Sequence, residues 1–135
     1  MVITPHAAAG ALIGSGGEKR SKTLLLAASS HFLLDAVPHQ DYSFAGPAGR
    51  ARLAADAAAA LIVVAAISRQ HDKPALVWAS AAIAVAPDVL SVALARRGRS
   101  TRWHDWSHAK PASTSLGLAA QFILASAAGL KALSA

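Results

Sequence analysis

Cysteine is absent from the 135-residue chain, which excludes disulfides, thiolate metal sites and cysteine nucleophiles together. Any metal must be held by nitrogen and oxygen. Charge is also scarce: Asp, Glu, Lys and Arg make up 15% of the residues against 54% hydrophobic ones, an unusually apolar balance for a soluble domain of this size. Aromatics amount to 5%, and no basic stretch interleaved with aromatics is present, so the formal charge of +6 does not point to nucleic acid. The Lys and Arg residues stand instead in short clusters between apolar blocks, as membrane loops do. Neither a basic stretch nor a cleavage signature accompanies the N-terminal apolar run, so no signal peptide is expected. With no solenoid period and no linker-like segment, residues 1–135 read as one domain.

What the sequence has is apolar blocks broken by Gly, Pro and charge. Thr4-Pro5 suggests a helix start, Thr as N-cap and Pro at the first helical position, with the run Ala7 to Ile13 stopping at Gly14. The spacing Gly10-x-x-x-Gly14 suits close helix packing. A second helix is expected from Thr23 to Val37, ended by Pro38, and a loop with interfacial aromatics Tyr42 and Phe44 from His39 to Gly49. A third helix is expected from about Ala51 to Ser68, a fourth from Pro74 to about Ala95, and a fifth from Pro111 to near Ala132. The expected fold is all-α: a compact bundle of about five mostly transmembrane helices, a multi-pass protein of the cell membrane.

Alternation of direction then sorts the polar residues. The starts of the first, third and fifth helices and the ends of the second and fourth share one face. That face collects His6, His31, Asp35, His39, Asp41, Asp56, Asp88, His104, Asp105 and His108. Ionisable groups inside a membrane helix cost roughly 2.5–3.5 kcal/mol each and need partners. His31 and Asp35 are four apart, as are His104 and His108, so each pair projects from one helical face where its segment is helical. Together with Asp88 and His6 they are the candidate ligands of a divalent ion, zinc first and manganese or iron as alternatives.

Each feature also has a plain structural reading. His6 could be a first-turn residue, and a His31–Asp35 hydrogen bond would satisfy both groups without a metal. His39 and Asp41 follow a helix-ending proline, where turn chemistry accounts for them as well as support of a metal ligand does. Asp56 reads as a first-turn carboxylate with Arg52 four residues before it, with support of the site as the other role. Pro87 frees a backbone carbonyl in the fourth helix and places Asp88 at the opening. Trp103, Trp106 and Trp78 read as interfacial anchors, and Arg99 and Arg102 as contacts for anionic lipid head groups or as a solvated loop.

The segments Thr4-Pro5-His6, Ser30-His31-Phe32-Leu33-Leu34-Asp35, Pro38-His39-Gln40-Asp41, Pro87-Asp88 and Ser107-His108 resemble those of small bacterial membrane proteins classed as metal-dependent hydrolases. The resemblance is to the LexA-regulated inner-membrane hydrolase family and, more distantly, to zinc-dependent phospholipase C-like proteins. It implies that His6 stands for the family's early histidine, Asp88 for its Pro-Asp carboxylate, and His104 with His108 for its later pair. That pair is spaced by four here, with no Arg after the first His, and Pro-His-Gln-Asp replaces the usual acidic pair. The expected function is hydrolysis of a lipid or membrane-delivered ester or phosphoester by a metal-activated water, with Asp41 or Asp105 moving protons. The alternative is a metal-binding or structural membrane protein without turnover.

Overall fold

The computed structural model describes residues 2–37 and 46–107. These form α1 (Ile3–Ser15), α2 (Arg20–Asp35), α3 (Gly46–Ser68), α4 (Pro74–Ala95) and the single turn α5 (Arg102–Asp105), with no strand among the described residues. The long helix expected after Pro111 lies outside them.

α4 begins at Pro74, whose missing N–H costs nothing in a first turn. It closes where the Arg99 N–H donates to the Leu94 carbonyl and the Gly98 N–H to that of Ala95, both at 3.0 Å. Gly98 supplies the left-handed φ of 66° that this closure requires. α3 starts at Gly46, five residues ahead of expectation. Gly46-Pro47 has loop composition, yet a proline in a first turn is compatible with a helix. α2 likewise begins at Arg20 rather than Thr23 and ends at Asp35.

The start of α1 also differs from expectation. Val2 rather than Thr4 is the N-cap residue, and Pro5 lies inside the first turn. The Ile3 N–H donates to Asp56 Oδ2 at 2.5 Å and the Thr4 N–H to Oδ1 at 3.1 Å. The Thr4 hydroxyl lies 2.6 Å from Oδ1 and 2.9 Å from the Asp56 carbonyl. Asp56 is therefore not in the first turn of its own helix: it lies well inside α3 and caps α1 from there, satisfying N–H groups that would otherwise lack partners.

α1 packs on α4, α3 and α2. Its contact with α4 is governed by Gly10 and Gly14: a Cβ at Gly10 would lie 2.5 Å from the Ser80 carbonyl oxygen, and one at Gly14 2.7 Å from Val77 Cα. The two helices touch backbone to backbone and run antiparallel, since Gly14 meets Val77 while Gly10 meets Ser80 and Ala84. The core is made of small side chains, Ala7, Ala11, Ala60 and Ala81 with Val64, Ile67 and Val77. Large apolar side chains face outward, Leu33 at 71%, Ile62 at 69% and Leu61 at 59% exposure among them. α3 and α4 are both long and apolar enough to cross a membrane.

Candidate metal centre

This packing brings one end of α1 to the far end of α2, the second half of α4 and the turn α5. His6, His31, Asp35, Asp88 and His104 meet there, none more than 4% exposed. His31 is central. Its Nδ1 lies 2.8 Å from the Ala84 carbonyl oxygen, which can only accept, so Nδ1 carries a proton and Nε2 is the nitrogen left to face the other donors. The same α4 segment contains Pro87, which cannot donate to the Ile83 carbonyl one residue away.

Around His31 Nε2 stand His104 Nε2 at 3.2 Å and Asp35 Oδ2 at 3.1 Å. His104 Nε2 is 3.2 Å from Asp88 Oδ1 and 3.8 Å from Asp35 Oδ2, and His6 Nε2 is 3.4 Å from Asp35 Oδ1. The His6 and His31 rings lie with centroids 4.4 Å apart. Two trios have ligand atoms within 4.8 Å of one another, His6 with His31 and Asp88, and His31 with Asp35 and His104. Buried His/Asp groups in this arrangement can hold a metal ion.

The donor chemistry fits a cation. Two buried carboxylates need positive charge or protons beside them, and three imidazoles supply nitrogen donors. Asp88 Oδ2 is buried and accepts no hydrogen bond from any of the described residues, a state that costs about 1–3 kcal/mol unless something else uses its lone pairs. The bond from His31 Nδ1–H to a backbone carbonyl is the kind that orients metal-ligating histidines.

Of the other residues singled out by sequence, His39, Asp41 and His108 lie outside the described residues. Asp105 stands behind His104: its carboxylate, 61% exposed, is 3.7 Å from His104 Nδ1 and accepts from Thr101 Oγ1 at 2.9 Å. Asp56 is not among the converging groups; it caps α1, the helix that carries His6. Arg99 is exposed between α4 and α5 and Arg102 is exposed at the first position of α5, and Trp106, at 75% exposure, stacks on Phe32.

Two participants had no role in the sequence reading. Ser107 is buried, with its hydroxyl 3.1 Å from Asp35 Oδ2 and 2.8 Å from the His104 carbonyl. Its place beside His108 in a Ser-His pair was its only signal. The Ala84 carbonyl had none beyond the nearby Pro87, since an alanine side chain says nothing about what its backbone accepts.

No protein-family model, curated protein or solved structure matches the chain.

Proposed function

We propose that the protein is a multi-pass membrane protein that holds a divalent ion, zinc foremost and manganese or iron as alternatives, and uses it to hydrolyse an ester or phosphoester of a lipid or membrane-delivered molecule. The observation that carries this reading is the convergence of five buried His and Asp side chains from four helices around His31, whose Nδ1 is held by the Ala84 carbonyl and whose Nε2 faces the other donors. Membrane residence is supported by the inverted distribution of size. Small residues pack between helices, as they do where lipid rather than water surrounds a bundle, while the large apolar ones face outward. In α3 and α4 only 22% and 28% of the apolar window is buried. A water-soluble core helix would bury far more.

Either trio, His31 with Asp35 and His104 or His6 with His31 and Asp88, supplies three ligands and leaves room for a fourth position. A divalent ion held by these residues would lower the pKa of a water at its open position and so supply a hydroxide nucleophile near neutral pH. Where Asp35 and His104 ligate, Asp88, beside His104 and bonded through Oδ2 to none of the described residues, accepts a proton. Asp105, 3.7 Å from His104 Nδ1 on the solvent side, passes protons outward. Arg99 and Arg102 attract an anionic head group toward this end.

Detergent-purified protein is expected to contain stoichiometric metal and to lose ester or phosphoester hydrolysis on chelation while keeping its helical circular dichroism. A chain purified without metal that also fails to take up zinc would sink the proposal. A second reading, metal binding without turnover, is favoured by the near-complete burial of all five residues. It predicts the same metal content and no hydrolysis.

A further inference from the structure

The opposite end of the bundle carries a groove that the metal centre does not use. Its volume is about 590 Å³, between the last turn of α1 and the first turns of α2. Leu12, Ile13 and Leu26 form its apolar walls, and Glu18, Lys19 and Lys22 its polar lining. Arg20 adds a further cation to this turn, so Glu18 is outnumbered. The lysines are exposed, as are Leu25 and Leu26 at 68% and 49%. α2 has no acidic residue in its first turn and no side-chain cap, which leaves the positive end of its dipole directed at the same place. The Lys73 ammonium donates to the Gly17 carbonyl at 3.2 Å, tying the connection to the start of α4.

Lysine cations beside exposed leucines fit one class of occupant, an anionic head group attached to acyl chains. A free anion would leave the leucines uncovered, and a neutral lipid would leave the cations without a counter-charge. We propose that this groove binds an anionic phospholipid, with Lys19 and Lys22 at the phosphodiester and the chains against Leu12, Ile13 and Leu26. The proposal rests on the membrane reading above and is independent of the hydrolysis.

The test uses the full-length protein in detergent mixed with phosphatidylglycerol, with phosphatidylcholine, or with inorganic phosphate alone. Phosphatidylglycerol well above its Kd is expected to raise the melting temperature by roughly 5 °C, and phosphatidylcholine and phosphate to leave it unchanged. Lys19→Gln with Lys22→Gln should abolish the shift while keeping the helical spectrum. Arg69→Gln, which removes an exposed charge from the same end, should retain it. Equal stabilisation by both lipids, a shift that survives the double substitution, or a shift reproduced by phosphate would each overturn the lipid site. A wild-type chain that stays monodisperse without detergent would overturn the membrane reading and this site with it. A detergent-requiring chain that shows no head-group preference would overturn this site alone.

Discussion

His31 belongs to both trios, and with Nδ1 committed to Ala84 it has a single nitrogen to offer. Two ions cannot both use it. His31→Ala should therefore abolish metal binding, whereas His6→Ala and His104→Ala each leave one trio intact and should retain about one ion per chain at reduced affinity; metal analysis after gel filtration reads the difference. Ser107→Ala removes the hydroxyl beside Asp35 Oδ2 and should lower metal affinity about 10- to 100-fold with the fold kept, measured by competition with a chromophoric chelator. Acidification should release the ion, since protons compete for every ligand in the set. At this scale the sequence was informative where chemistry belongs to side chains. The pair His31 and Asp35, Asp88 after Pro87, and His6 after Pro5 could be read as candidates because each is an ionisable group in an apolar segment. Ala84 could not, because its contribution is a carbonyl.

Helix ends depend on partners far away in sequence, which is why they were less legible than helix interiors. The bounds of α4 follow from Pro74 and the turn at Gly98, both local signals. The start of α1 does not: the N–H groups of Ile3 and Thr4 are satisfied by a carboxylate more than fifty residues away. Asp56→Ala should destabilise the protein by about 1–2 kcal/mol, the cost of losing a helix cap. It should also weaken metal binding, because α1 presents His6; Asp56→Asn, which keeps an acceptor oxygen, should restore part of both. The Gly10 and Gly14 spacing was legible as a packing signal, and the structure shows what it packs against. Gly10→Leu would force α1 away from Ser80 and Ala84. Its expected result is a loss of both stability and metal content, since α1 and α4 carry His6 and Asp88.

At the scale of the whole molecule, the sequence could be divided into helices because charged turns and one longer loop separate its apolar blocks, and the opposite directions of α1 and α4 agree with that alternation. The arrangement of neighbours was not, since nothing in an alanine-rich pattern says which face meets which helix. The alanine interior has a further consequence. Alanine has no side-chain rotamer to freeze or to change, so the walls between the helices cannot adapt to an ion by moving side chains. A larger cation would have to part whole helices that already touch through backbone at Gly10 and Gly14. Size discrimination should therefore be built into the frame: zinc, with ligand distances of about 2.0–2.2 Å, should bind far more tightly than calcium, which needs about 2.3–2.6 Å and more ligands. The mildest replacement, Gly14→Ala, should blunt that selectivity where an ion is still held, because an interface propped open has lost the rigidity that measures the ion.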